Sequence, residues 1–140
     1  MTEQKLTTSL EDYLESVYML ILEKRPARVR DIASELGVTT PSVVNALTAL
    51  KDRDLVTQEP YGSVELTEAG LRMARTILSR HKMLTTFLEF IGDDEKVAET
   101  DACKMEHILS QETLANIAAF LKSNKVQVNV EHLFHPKKDA

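Results

Sequence analysis

The sequence predicts a mainly α-helical fold, in which a winged helix-turn-helix is followed by a second, purely helical domain. Two short amphipathic segments flank a turn at Gly37, a pair of short alternating segments follows, and long helical segments fill the rest of the chain. The change from short to long elements near residue 70 divides the chain into a domain over residues 1–72 and a domain over residues 73–140.

The first helix is predicted over residues 9–24. Ser9 is the expected N-cap, acidic side chains occupy the early turns, and Pro26 lies beyond the end. Apolar residues recur at steps of three and four, which is the period of a helix with one buried face.

The next two helices form the expected helix-turn-helix. The shorter one covers residues 28–36 and is ended by Gly37. Thr39 or Thr40 caps the following helix, and Pro41 fits its first turn because the missing N–H has no helical partner there. The expected apolar face of this helix is Val44, Leu47 and Leu50, flanked by Val43 and Ala46.

A small β-hairpin is predicted after these helices, since two alternating runs within residues 55–67 flank the turn Pro60-Tyr61-Gly62-Ser63. Longer helices are expected beyond it. They cover residues 68–91, which Gly92 ends, then 94–109 and 110–122, before a tail with a short Val126-Val128-Val130 alternation.

The composition is that of a globular protein. Apolar residues form 43% of the 140-residue chain and charged residues 28%, which excludes disordered classes. The single cysteine excludes an internal disulfide. No apolar run approaches the roughly 20 residues needed to cross a bilayer, and the polar start is unlike a signal peptide. We therefore expect a soluble cytoplasmic protein with no membrane partner.

The order helix, turn, helix, hairpin is typical of proteins that bind double-stranded DNA. The second helix of such a motif places polar side chains against base edges, and an asparagine can pair with adenine through two hydrogen bonds. The polar candidates on this helix are Thr39, Thr40, Ser42, Asn45 and Thr48. Arg25, Arg28 and Arg30 are candidates for phosphate contacts. Similar patterns also occur in protein-interaction modules, which remain the alternative.

The charge balance is unusual for a DNA-binding protein. The net charge is −5, and neither half of the chain is basic, although phosphate contacts require lysine and arginine. A bound cation that neutralises clustered carboxylates would reconcile the two observations.

Three segments carry residue types that bind metals. Asp12 and Glu15 are spaced i, i+3, His81 lies in the long helix, and Cys103, Glu106 and His107 are spaced i, i+3, i+4, which brings them to one side of a helix. Carboxylate, imidazole and thiolate together suit a divalent first-row transition metal.

Each segment alone also has an ordinary structural explanation. Asp12 and Glu15 fit the positive end of a helix dipole, His81 fits an exposed or capping residue, and Cys103 fits a structural thiol. His132 and His135 lie in the tail, for which a surface role is simpler than metal contact.

The chain resembles the diphtheria toxin repressor family of metal-dependent transcriptional repressors, and within it the short manganese transport regulators. The resemblance covers nearly the whole chain and is most specific in its last motif. The motifs that carry it are Ser9–Glu15, Ala27–Ala33, Leu66–Gly70, Arg80-His81 and Asp101–Ser110.

The resemblance implies a homodimer that binds palindromic operators, represses metal-uptake genes and has no small-molecule substrate. It implies that the base-contact positions fall on Thr39, Pro41 and Asn45. The metal ligands that it implies are Asp12, Glu15, His81, Cys103, Glu106 and His107, with the second domain serving dimerisation and metal binding.

The implied ligand set mixes two branches of the family. Manganese regulators have Glu at the position of Cys103, whereas the iron-sensing branch has Cys there but Met at the position of Asp12. The resemblance favours Mn²⁺ and next Fe²⁺, while the softer thiolate also suits Co²⁺ or Zn²⁺ in vitro. Losing a bridging carboxylate leaves open whether one or two ions bind.

Two other classes of protein are alternatives to a metal-dependent repressor. A metalloenzyme is disfavoured, because residues 103–107 lack an acid–base arrangement beside a substrate cleft. A metal-independent winged-helix regulator or interaction module is the remaining alternative.

Overall fold

A computed structural model of the chain describes residues 6–60 and 62–128. The chain divides into two compact units, Met1–Ala74 and Arg75–Ala140. The helices and strands in chain order are α1 (Thr8–Leu22), α2 (Val29–Leu36), α3 (Thr40–Asp52), β1 (Val56–Gln58), β2 (Val64–Leu66), α4 (Glu68–Phe90), α5 (Glu95–Met105) and α6 (Gln111–Ser123).

Helix α1 begins one residue earlier than expected, and its N-cap is Thr7 rather than Ser9. The Thr7 hydroxyl accepts a hydrogen bond from the backbone N–H of Leu10 at 3.2 Å, which satisfies one of the otherwise unpaired first-turn donors. Ser9 therefore lies inside the helix. The chain leaves α1 through Lys24, which has a left-handed φ of 58°.

The turn between α2 and α3 confirms the expected helix-turn-helix. Gly37 ends α2 with a φ of 64°, a conformation that glycine adopts without steric cost. Thr39 is the N-cap of α3, since its hydroxyl accepts from the Ser42 N–H at 3.3 Å, and Pro41 occupies the first turn.

The buried face of α3 differs from the expected one. Val43, Ala46, Leu47 and Leu50 are buried, whereas Val44 is 50% exposed. In the first unit α3 packs on α1 and α2, and the helices contribute a core that includes Leu14, Val17, Leu20 and Ile32.

The hairpin forms as predicted, with β1 and β2 antiparallel and Val56 opposite Leu66. An isolated bridge joins Ala27 to Val64 and adds a third short segment to the pair. Tyr61 of the predicted turn lies outside the described residues. The side chain of Gln58 accepts from Lys51 of α3 at 3.0 Å and donates to the Gly62 carbonyl at 3.2 Å. These bonds connect the β1–β2 hairpin, which is the wing of the fold, to α3.

Thr67 connects the end of the wing to the start of α4. Its hydroxyl donates to the Asp54 carbonyl at 2.6 Å and accepts from the Gly70 N–H at 3.0 Å. Its own N–H bonds to the Leu55 carbonyl at 3.1 Å. Gly70 lies close to the same Leu55 carbonyl, and a Cβ at this position would collide with the oxygen.

The second unit consists of the greater part of α4 with α5 and α6. Its core is a cluster of Met83, Leu84, Leu88, Ala98, Ala102, Leu114 and Leu121. Helix α5 ends at Met105 rather than at residue 109, and Glu106 is its C-cap. Val126 and Val128 pack against the core without forming a strand, while Val130, His132 and His135 lie outside the described residues.

Across the described residues, no helix combines the length and the apolar character that crossing a bilayer requires.

Candidate metal centre and DNA-binding surface

The carboxylate of Glu106 lies between two imidazole rings at the end of α5. Its Oε2 atom is 3.1 Å from Nδ1 of His81 in α4, and its Oε1 atom is 3.4 Å from Nε2 of His107. The Glu106 side chain is 1% exposed and the His107 side chain 4% exposed. The two rings and the carboxylate therefore form one largely dehydrated group.

These contacts are close but are not hydrogen bonds. Among the described residues neither carboxylate oxygen of Glu106 has a partner with hydrogen-bond geometry. Leaving a buried carboxylate without hydrogen bonds is costly. A divalent cation would remove this cost, because carboxylate oxygens and imidazole nitrogens are its usual donors. The arrangement thus fits a metal.

Cys103 adds a sulfur donor to this group. It lies one turn before Glu106 on α5, and its Sγ atom is within 4.8 Å of a Glu106 carboxylate oxygen. The residue is exposed and forms no disulfide. Cys103 is therefore not a structural thiol packed among buried apolar side chains. The second unit brings His81, Cys103 and His107 around Glu106.

Arg80 fixes the backbone of this group and was not among the predicted site residues. It is 4% exposed, and its guanidinium Nη1 donates to the carbonyl of Glu106 at 3.1 Å. The bond satisfies a carbonyl at the end of α5, where helical partners are missing. Arginine is normally exposed, so the sequence gives no sign that Arg80 is buried. The neighbouring His81 is recognisable because histidine is a metal-ligand type.

The other two predicted ligands lie on α1 in the first unit. Asp12 and Glu15 are both partly buried, and one carboxylate oxygen of Glu15 is buried completely. Glu11 of the same helix is only 2% exposed, although an acid in a first turn is normally exposed. Three carboxylates are therefore concentrated in two turns of α1.

The predicted base-contacting side chains are all exposed on α3 or at its start. These residues are Thr39, Thr40, Pro41, Ser42, Asn45 and Thr48. The Thr39 and Ser42 hydroxyls lie 2.8 Å apart, and Thr48 donates to the Val44 carbonyl at 3.0 Å. Val44 joins this exposed surface, where its methyl groups suit contact with a thymine methyl.

The three candidate arginines are not equivalent. Arg28 and Arg30 are exposed, as phosphate contacts require. The guanidinium of Arg25 instead lies 3.2 Å from Glu23, 3.9 Å from Asp31 and 3.5 Å from Glu35. Three carboxylates compete with phosphate for Arg25, so Arg28 and Arg30 are the stronger candidates.

Two family models match the chain in sequence. The model described as "Iron dependent repressor, N-terminal DNA binding domain" matches residues 5–64. The model described as "Iron dependent repressor, metal binding and dimerisation domain" matches residues 67–132.

Relatives and a solved structure agree with these matches. An uncharacterized HTH-type transcriptional regulator of Methanocaldococcus jannaschii is 40% identical over 88% of this chain and 100% of its own length. The HTH-type transcriptional regulator MntR of Bacillus subtilis is 39% identical over 79% of this chain and 78% of its own length. A manganese-dependent transcriptional repressor in complex with manganese is 28% identical, with a TM-score of 0.73 over 81% of this chain and 52% of that chain.

A winged helix with exposed polar side chains on α3, followed by a helical domain that brings together residues of metal-binding types, is the architecture of a metal-responsive DNA-binding regulator. The chain belongs to the iron-dependent repressor family, whose members are metal-dependent transcriptional repressors. The resemblance found in the sequence is thereby confirmed. The protein is a transcriptional regulator and not an enzyme, and the two family domains indicate DNA, a divalent metal and a second copy of the chain as its partners.

Proposed function

We propose that this protein is a repressor activated by Mn²⁺, with Fe²⁺ as the next candidate, that binds a palindromic operator as a homodimer. We further propose that it controls metal-uptake genes in the cytoplasm. The manganese-dependent repressor that is 28% identical to this chain supports the preference for Mn²⁺. Co²⁺ and Zn²⁺ are expected to bind in vitro, because both accept imidazole and thiolate donors.

The observation that carries the proposal is the buried carboxylate of Glu106 between His81 and His107. A group of this kind has little use in a metal-independent regulator, where an apolar residue would be less costly. It is the expected arrangement where a cation is to be bound.

The proposed ligands come from both halves of the chain. The proposed domain over residues 73–140 supplies four donors, and α1 of the proposed domain over residues 1–72 supplies two. The six ligands are Asp12, Glu15, His81, Cys103, Glu106 and His107. A divalent cation held by these residues would supply two positive charges beside their carboxylates.

Charge repulsion between residues of the chain explains how metal binding would change the affinity for the operator. Without neutralisation, the carboxylates of α1 repel the carboxylate of Glu106, so the two domains sample many relative orientations. Coordination by residues of both domains would restrict these orientations and would fix the spacing of the two α3 helices in the dimer. Pre-organisation of this kind corresponds to a coupling of about 1–3 kcal/mol, or roughly 5- to 150-fold in operator affinity.

The contacts to DNA are proposed to divide between bases and phosphates. The residues at the start of α3 and on its exposed face lie against base edges of the major groove, and a two-fold dimer places two such helices about 34 Å apart. Arg28 and Arg30 bind phosphates. The proposed set is Arg28, Arg30, Thr39, Thr40, Pro41, Ser42, Asn45 and Thr48.

The proposal is tested by fluorescence anisotropy with a labelled palindromic duplex selected from random sequence. Binding is measured with chelator and with Mn²⁺, Fe²⁺ (anaerobically), Co²⁺ or Zn²⁺, and the bound ions are counted on the same samples. We expect specific binding only with metal and the strongest activation with Mn²⁺. Equal binding in chelator would show a metal-independent regulator and would refute the proposal.

A further inference from the structure

His81 contacts carboxylates through both of its ring nitrogens. Nδ1 faces Glu106, while Nε2 lies 3.1 Å from Oε1 of Glu99 on α5 with hydrogen-bond geometry. The imidazole is 13% exposed and the Glu99 side chain 62% exposed. The ring therefore bridges a buried acid and an acid at the surface.

The two contacts require different states of the two nitrogens. A carboxylate only accepts hydrogen bonds, so the contact with Glu99 requires a proton on Nε2. In the neutral ring Nδ1 then carries the lone pair, and Nδ1 is the ring nitrogen that lies 3.1 Å from the Glu106 carboxylate.

Glu99 lies on the same face of α5 as two of the proposed metal ligands. Glu99, Cys103 and Glu106 follow the spacing i, i+4, i+7, so they share one face of α5 up to its C-cap. A ligating histidine commonly donates its other N–H to a carboxylate, which fixes the orientation of the ring. The sequence alone did not indicate Glu99, because it lies in an acidic run and its partner is 18 residues away.

We propose that Glu99 is a positioning residue that holds His81 through its Nε2–H and thereby makes Nδ1 the metal-binding atom. The inference rests on the proposed metal-binding function. Glu99 itself is not a ligand, since its Oε1 atom accepts the hydrogen bond from Nε2, on the side of the ring opposite Glu106.

The first test uses metal-free protein with ¹⁵N-labelled histidine. NMR should show an exchange-protected Nε2–H on His81. Glu99→Gln should keep this signal, because the amide oxygen still accepts a hydrogen bond, while Glu99→Ala should lose it. Absence of the signal in the unmodified protein, or its persistence in Glu99→Ala, would overturn the proposal.

The second test uses Zn²⁺-loaded protein, whose ¹⁵N shifts identify the nitrogen that binds the ion. Nδ1 is expected, and coordination through Nε2 would contradict the assignment. Glu99→Ala should lower Zn²⁺ and Mn²⁺ affinity by about 10-fold without changing the number of ions bound. Asp101→Ala, which removes an exposed acid from the same helix, should leave the affinity unchanged.

The outcomes separate this inference from the proposed function. A lower ion count in Glu99→Ala would make Glu99 a ligand and refute its positioning role. If the unmodified protein bound DNA equally in chelator, the proposed function would fail, but the metal-free NMR experiment would still report whether Glu99 holds His81.

Discussion

Gly70 packs so closely on the carbonyl oxygen of Leu55 that a side chain at position 70 would overlap it. Alanine is favoured over glycine within a helix by about 1 kcal/mol, but here the overpacking dominates. We expect Gly70→Ala to destabilise the protein by about 1–3 kcal/mol, measured by urea unfolding.

Gly37→Ala provides the comparison for Gly70→Ala. Gly37 has a φ of 64° with open space around it, so its cost comes from conformation alone and should be about 1 kcal/mol. If Gly70→Ala were neutral or stabilising, the close approach of α4 to Leu55 would be wrong.

Replacing the buried carboxylate of Glu106 tests its part in metal binding. Glu106→Gln keeps the shape of the side chain but removes the charge between His81 and His107. A ligand at 100 times its Kd stabilises a protein by about 2.7 kcal/mol, and we expect Glu106→Gln to lose most of this gain with Mn²⁺. Thermal unfolding with and without metal measures the difference.

The control for this experiment is Glu112→Gln, since Glu112 is exposed on α6. It should retain the full stabilisation by Mn²⁺. Equal stabilisation of Glu106→Gln and the unmodified protein would show that Glu106 is not a ligand.

The thiolate of Cys103 should set the metal preference. Cys103→Glu replaces a soft donor by a hard one, which we expect to raise the affinity for Mn²⁺ relative to Zn²⁺ and Co²⁺. Competition titrations give this ratio, and the spectrum of the Co²⁺ form shows whether sulfur is bound. Unchanged ratios in both Cys103→Glu and Cys103→Ser would remove Cys103 from the ligand set.

Val44 and Asn45 should contribute to DNA binding without contributing to stability. Both side chains are exposed on α3, so neither alanine variant should lower the melting temperature. Asn45→Ala should weaken operator binding by about 1–3 kcal/mol, and Val44→Ala by less, because only an apolar contact is lost. Anisotropy with single base substitutions locates the affected positions.

A matched control for Asn45 exists in the second unit. Asn116 is exposed on α6, and Asn116→Ala should leave DNA binding unchanged. A similar loss in Asn116→Ala and Asn45→Ala would point to a general effect rather than to a base contact.

The exposure of Val44 shows that the apolar pattern alone does not determine which face of α3 is buried. At 3.6 residues per turn, the buried set Val43, Ala46, Leu47 and Leu50 covers an arc of about 100° around the helix axis. The set Val44, Leu47 and Leu50 covers a wider arc of about 120°. Two adjacent valines allowed either phase from the pattern alone. Packing against α1 and α2 selected the tighter one.

The helix order, the turn at Gly37 and the ligand-type residues were predictable because each depends on local chemistry. The N-cap at Thr7 was not, since Thr8 and Ser9 can cap a helix equally well. The end of α5 at Met105 was not either, because no glycine or proline marks it in the sequence. The contact between Glu99 and His81 and the burial of Arg80 depend on how α4 and α5 pack. Such long-range contacts leave no periodic signal in the sequence.

The hydrogen bonds of the Thr67 hydroxyl determine which part of the β1–β2 hairpin can vary in length. The hydroxyl joins Asp54, which follows α3, to Gly70 at the start of α4, so both ends of the hairpin are held at one point. The distal turn between β1 and β2 can therefore vary in length with only a small entropic cost. Hairpins of different reach could be grafted onto this scaffold while the anchoring bonds stay intact.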